Sequence, residues 1–364
     1  MARELAKEGN EVCGLDNFLR DGSRGNVEPL KKLGIRVEEG DIRNEADLAK
    51  MPKADWVLGC AAEPSVLAGV SGGMGSYELM DHNLIGTIRV LELCKKIQAG
   101  LILLSTSRVY SVAGLSSLKV EAEDGAFRLG LRLRLRLSKR EQTGISEKGI
   151  SESFSTEPPL SLYGASKRCA EVLAMEYGDA FGFPVWINRC GVLAGKGQFG
   201  KADQGIFSFW IRSWKENRPL RYIGFGGRGE QVRDCLHPKD LVPVLKKQMN
   251  TSVNVKVNVK EDGKAGGERG QAGKIGIGDC GLGIRGSVDY RVCNFGGGVG
   301  NSCSLAQLSE WCEKRFGARK VESDPKPRPY DLPWVVMDST RAKKMWGFEV
   351  RTRLEQIFEE IGGD

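Results

Sequence analysis

Trp56-Val-Leu-Gly-Cys60, then Tyr77 to Lys96 with its apolar residues at helical spacing, then Leu101-Ile-Leu-Leu-Ser-Thr106: these three stretches decide the fold. A long amphipathic helix between two short apolar runs is the crossover that joins parallel strands. The alternation extends back through Ile35-Arg-Val-Glu-Glu-Gly-Asp41 and Glu11-Val-Cys-Gly-Leu-Asp16. The first 110 residues therefore predict βαβ units on a doubly wound parallel α/β sheet. Ligands of such sheets bind beyond the carboxyl ends of the strands.

The 364-residue chain has room for this sheet and a second, smaller unit. With 40% hydrophobic and 28% charged residues it has the balance of a soluble globular protein, and no run approaches the roughly 18 apolar residues of a membrane span. Met1 leads directly into Ala-Arg-Glu-Leu-Ala-Lys-Glu8, part of an amphipathic helix and not a signal peptide, so a cytoplasmic location is expected. The ten cysteines include no CxxC pair; they are expected to be reduced packing thiols, with no metal site. A net charge of +7 suits nucleic acid and a phosphate-bearing small ligand equally.

Two segments interrupt the alternation. Arg128 to Arg140 alternates basic and apolar residues with period two. A half-buried strand or hairpin arm explains it, since one sheet face absorbs every Leu; a basic patch for nucleic acid or an acidic membrane is the sharper alternative. Asn250 to Asp289, rich in Gly, Lys and Val, reads as a flexible insertion without chemistry.

Ser161-Leu-Tyr163-Gly-Ala-Ser-Lys167, followed by Glu171, carries the strongest chemical signal. In a helix over 162–178, Tyr163 and Lys167 project from one face. The lysine ammonium would favour the tyrosine phenolate and make it a general base for a sugar hydroxyl. About 55 residues upstream the strand Leu103-Leu104 ends in three hydroxyls, Ser105-Thr106-Ser107, before Arg108-Val-Tyr110. A hydroxyl at that strand end can bond a reacting oxygen.

A strand ending in Ser/Thr-x-x-x-Tyr followed by YxxxK resembles the extended short-chain dehydrogenases/reductases, in particular the NAD-dependent epimerase/dehydratase family. The resemblance covers nearly the whole chain. Within the family, Lys201-Ala-Asp203-Gln204-Gly205 is similar to the substrate loop of the CDP-tyvelose (CDP-paratose) 2-epimerases. It implies Thr106, Tyr163 and Lys167 as catalytic residues. For NAD it implies Asp16 and Asn17 at the ribose, Asp41 and Ile42 at the adenine, Ala61 and Ala62 near the nicotinamide, and Lys167 again. For a CDP- or UDP-sugar it implies Glu63, Thr106, Asn188, Gln204 and Arg233. The fold implied is a Rossmann-like domain over 1–190, carrying an insertion at 111–157, and a smaller substrate-binding α/β domain over 191–364. A homodimer paired through the helices at 83–96 and 162–178 is also implied, with neither nucleic acid nor membrane as partner.

The relatives that dehydrate sugars carry Asp-Glu directly after the catalytic Thr; Ser107 and Arg108 stand here. Without that acid and base, epimerisation by transient oxidation and re-reduction is expected, with Tyr163 as base. A reductase or dehydrogenase of the same family, or a sugar-nucleotide-binding scaffold without NAD, are the alternatives. The glycine turn of a dinucleotide fold lies about 20 residues before the ribose acid. With Asp16 as that acid, turn and first strand would precede Met1, and a start assigned too far downstream fits the intact site better than a shortened protein. Gly224-Phe-Gly226-Gly-Arg-Gly229 matches GxGxxG literally but lacks the βαβ context and reads as a turn leading to Arg233.

Overall fold

The computed structural model describes residues 1–71, 73–130, 144–202, 204–251 and 290–363. The period-two stretch beyond Gly130, Asp203 and the insertion at 252–289 lie outside the described residues. Four strands form the main parallel sheet: β3 (Trp56–Gly59), β4 (Gly100–Thr106), β7 (Val185–Cys190) and β10 (Val292–Phe295), in spatial order β10-β7-β4-β3. β1 (Cys13–Asp16) and β2 (Arg36–Glu39) form a separate two-stranded parallel ladder. The doubly wound α/β reading holds.

Alternate residues of β4 serve opposite faces. Leu101 and Leu103 pack with Val185 and Ile187 against helix α1, through Val90, Leu91 and Cys94, and against helix α2, through Ala170 and Ala174. Ile102 and Leu104 face the other way, onto Val244, Leu245, Trp346 and Phe348. Helix α1 runs as Ser76–Met80, a π turn over Asp81–Ile85, and Gly86–Ile97. Helix α2 spans Leu162–Phe181, as the YxxxK spacing predicts.

The segment over 111–157 is better packed than its sequence suggests. β5 (Val120–Glu123) and β6 (Ala126–Leu129) form an antiparallel hairpin whose Phe127 and Leu129 are buried with Trp334, Val336 and Met337. Arg128 between them is exposed, so the period-two pattern does begin as a half-buried hairpin arm. The later chain adds β8 (Val192–Leu193), α3 (Ile206–Lys215), β9 (Val232–Leu236), β11 (Ser302–Ser304), α4 (Leu305–Phe316), β12 (Trp334–Val335) and α5 (Leu354–Gly362). β9 pairs with β8, β11 and β12, while α3, α4 and α5 share an apolar core. The Gly224–Gly229 stretch forms a 3-10 turn leading to β9, as expected. No helix among the described residues is long and apolar enough to cross a membrane. The nine described cysteines are free thiols.

Two buried carboxylates tie these parts together. Glu171 of α2 is fully buried and receives Arg189 of β7 through Nε at 3.0 Å and Nη2 at 2.7 Å, with the Ser105 hydroxyl of β4 donating at 2.5 Å. Replacing Glu171 with Ala strands a buried guanidinium and is expected to cost about 3–5 kcal/mol in urea unfolding. Removing the exposed Arg221–Glu322 pair should cost far less, because solvent screens it. Equal losses would mean that Glu171 is not structural.

Asp234 of β9 accepts backbone N–H groups from Met337 at 3.2 Å and Gly298 at 3.3 Å, and burial pushes its carboxyl from 3.8 up to about 7. A folded value above the unfolded one means that the proton stabilises the fold. That contribution is complete below about pH 4 and is lost as pH rises towards 7. Thermal unfolding followed across that window should show stability falling with pH more steeply in the wild type than in Asp234→Asn; parallel profiles would refute the assignment.

Candidate active site

The carboxyl end of β4 sets the position of the reacting groups. Thr106 ends that strand, level with Cys190 of β7, and its Oγ1 accepts the Arg108 N–H at 3.2 Å, closing a 3-10 turn over Ser107–Val109. Ser161 caps α2 by accepting the Gly164 N–H at 3.0 Å. Tyr163 lies in the first turn and Lys167 one turn later, both buried. The Thr106 hydroxyl lies beside the Tyr163 phenol and favours its ionised form. A Cβ on Gly164 would sit 2.3 Å from the Arg108 carbonyl oxygen, so helix and strand turn approach this closely only because the residue after Tyr163 is glycine.

Burial pushes the Tyr163 phenol above its ordinary value; the Thr106 hydroxyl and the positive charge of Arg108 pull it back. Burial lowers the Lys167 ammonium, and the charge of Glu171, one turn along α2, opposes that shift. Its N–H groups make no hydrogen bond to the described residues, so they remain available to a ligand.

These groups line a cavity of about 720 Å³, which also brings together Asp16, Ala62, Gln204 and Arg233. The remaining expected residues stand around it. Asn17 donates to Asp41 at 3.0 Å, and Arg43 holds the Asp41 carboxyl well below the usual carboxylate range while pairing with Asp81 at 2.8 Å. Ile42 follows Asp41 and lies close to Gly86, whose Cβ would meet its side chain. Ala61 precedes Ala62 in the loop after β3. Glu63 accepts from Gln204 at 3.1 Å, and its backbone pairs with the Asn83 amide at 2.8 and 3.0 Å. Asn188 is placed elsewhere: it has no exposed surface and exchanges hydrogen bonds with Gln248 at 2.9 and 2.8 Å, behind the sheet and off the cavity wall.

Arg233 pairs with neither of its sequence neighbours Asp234 and Glu230. It reaches Asp331 at 3.4 Å, and Arg328 approaches the same carboxylate at 3.6 Å. Arg108, two residues beyond Thr106, completes a group of three guanidiniums around one carboxylate on the cavity wall. Burial and this crowding lower Arg233 to about 9. Arg328 Nε, Gln231 Oε1 and Arg20 Nη1 are buried in the same wall without a hydrogen-bond partner. Arg20, Arg108, Gln231, Arg328 and Asp331 had been missed as site residues. Arg108 had a readable signal in its place on the hydroxyl turn, and Gln231 and Arg328 to Asp331 in motifs shared with the family; Arg20 converges only through the fold.

The chain matches the family model described as NAD dependent epimerase/dehydratase family over residues 1–259. It is 26% identical over 363 residues to UDP-glucuronate 4-epimerase 1 of Arabidopsis thaliana, covering 96% of this chain and 70% of that protein. It is also 26% identical over 256 residues to the CDP-paratose 2-epimerase of Salmonella typhi, covering 66% and 68%. The solved UDP-glucuronic acid 4-epimerase of Bacillus cereus, in complex with UDP-glucuronic acid and NAD, superposes with a TM-score of 0.67 at 21% identity, covering 100% of this chain and 93% of that one. The family model spans well over half of the chain, and the protein is an enzyme of the NAD-dependent epimerase/dehydratase family.

Proposed function

We propose that the protein epimerises a nucleoside diphosphate sugar by oxidising one ring carbinol and reducing it from the opposite side. The observation that carries this reading is the shared cavity: a proton-accepting pair, Tyr163 and Thr106, occupies the same space as a guanidinium cluster with two positive charges in excess of Asp331. Such an excess suits a diphosphate, and the unpaired Arg328 Nε offers a further donor.

NAD, when bound, supplies a hydride acceptor that returns the hydride. Residues suited to hold it are Asp16, exposed at the carboxyl end of β1, and Lys167, whose unbonded N–H groups face the cavity. Tyr163 takes the hydroxyl proton as the carbinol carbon is oxidised and returns it after the sugar turns over. Thr106 holds the phenolic oxygen in line and donates to the developing charge. The carboxylates among the described wall residues are Asp16 at the β1 end and Asp331 within the arginine cluster, so neither stands beside Thr106 as a dehydration acid or base. Exposed Tyr77, Ile85, Val172 and Phe181 on α1 and α2 support a homodimer across these helices.

Incubation of the protein with NAD and UDP-sugars, with products resolved by NMR, should show interconversion of two epimers without net NADH. Steady NADH accumulation would instead establish a dehydrogenase. Tyr163→Phe should lower kcat by about 100-fold or more, in proportion to general-base loss, while leaving UDP-sugar affinity within about twofold. Because burial raises Tyr163 and the base works deprotonated, wild-type kcat should climb as pH rises above neutral. A flat profile with full activity in Tyr163→Phe would remove Tyr163 from the mechanism.

A further inference from the structure

We propose that Arg20 and Ser23, on the loop after β1, form a phosphate clamp for the diphosphate of NAD. The inference concerns the cofactor alone and holds whichever sugar the enzyme turns over.

The position of Arg20 points to this role. NAD joins two ribosides through a diphosphate, so its phosphates lie between the adenosine and nicotinamide ends. Asp16, suited to the adenosine ribose, and Ala62 and Lys167, suited to the nicotinamide end, line one cavity. Arg20 connects these two ends. It leaves the chain four residues beyond Asp16, and its Nη2 donates to the side-chain oxygen of Gln204. The Gln204 amide in turn donates to Glu63, the residue after Ala62, at 3.1 Å. The guanidinium therefore stands between the loop after β1 and the loop after β3, where a dinucleotide held by both must place its diphosphate.

The two arginines of this loop are compensated unequally. Arg24 is exposed, and Glu39 of β2 neutralises it through two N–H donors, one of them at 2.9 Å. Arg20 lies on the cavity wall, bonds a neutral amide, and keeps Nη1 buried without a hydrogen-bond partner. The Ser23 hydroxyl, one turn further, is also buried, unbonded and on that wall. Buried donors without acceptors are costly, and phosphate oxygens satisfy a guanidinium edge and a hydroxyl together.

The loop already has its shape in the absence of ligand. Phe18 holds φ at 52°, a left-handed conformation uncommon for an aromatic residue, and Asp16 fixes it by accepting the Phe18 N–H at 2.7 Å. The Arg20 carbonyl accepts the Ser23 N–H at 3.0 Å, and Asn26 donates to the Gly197 carbonyl at 3.0 Å. Asp16 also selects the phosphate. Its exposed carboxylate repels a 2′-phosphate on the adenosine ribose, which leaves the diphosphate as the group for the clamp.

The test is calorimetric titration of the full chain with NAD, NADP and UDP, for the wild type and for R20Q, R20K and S23A. The wild type should bind NAD more tightly than NADP. R20Q should weaken NAD by about 10- to 100-fold and leave UDP within about twofold, which also shows that the variant is folded. S23A should weaken NAD by about 3- to 10-fold. R20K, which keeps the charge and loses the planar fork, should fall between the wild type and R20Q. Unchanged NAD affinity in R20Q would overturn the proposal. Equal weakening of NAD and UDP would do the same, because Arg20 would then only hold the scaffold. A loss confined to NADP would assign Arg20 to a 2′-phosphate and also overturn it. A wild type that binds UDP and not NAD removes the clamp while leaving the sugar-nucleotide site; one that binds neither removes both.

Discussion

The ion pair between Glu171 and Arg189 is the constraint on which the site depends. Burying either charge alone is costly, and the pair is retained because each partner has further bonds. Glu171 also takes the Ser105 hydroxyl, and Arg189 also donates to the Tyr110 hydroxyl at 3.3 Å, which in turn donates to Asn294 at 2.7 Å. One carboxylate thereby fixes helix α2 against β4 and β7, and the chain of bonds continues to β10. Ser105 immediately precedes Thr106, and Glu171 lies two turns beyond Tyr163 on the same helix. The approach of Thr106 to Tyr163 is consequently set by the core.

The same burial that fixes the geometry works against the chemistry. It raises the Tyr163 phenol and lowers the Lys167 ammonium, disfavouring the charged form of each. Thr106 and Arg108 offset the first effect, and Glu171 offsets the second. Glu171 thus serves two purposes, holding the strand and keeping a cation beside the cavity. On the opposite wall three arginines share Asp331, and several donors remain unbonded. A surface arranged only for stability would not keep these groups buried and unpaired. The imbalance is what a polyanionic ligand corrects.

Much of this was legible in the sequence. Helix α2 follows from the spacing of Tyr163 and Lys167 and from the Ser161 cap, and β4 follows from a continuous apolar run ending in hydroxyls, because both depend on local periodicity. The Rossmann-like class followed from the alternation of Glu11 to Thr106. What escaped the reading depends on long-range packing. The hairpin arm at Arg128 was readable, but the core that Phe127 and Leu129 enter, Trp334 to Met337, lies two hundred residues on and leaves no local pattern. Arg233 seems adjacent to Asp234, yet successive residues of a strand point to opposite faces, so its partner is Asp331. Asn188 was expected at the substrate by family resemblance; in the structure its amide is taken up by Gln248 instead.

The break between the two parallel ladders adds a physical consequence. β1 and β2 are joined to the rest through side chains and loops: Arg43 to Asp81, Asn26 to the Gly197 carbonyl at 3.0 Å, Arg20 to Gln204, and Phe199 packed so closely under Gly22 that a Cβ there would lie 2.5 Å from its ring. Three of these four contacts reach the loop at 197–204. Gln204 also holds Glu63, so the loop after β1, the loop after β3 and the loop before α3 share one set of bonds. Gln204 thus ties the loop four residues beyond Asp16 to the loop that follows β3 before any ligand is bound.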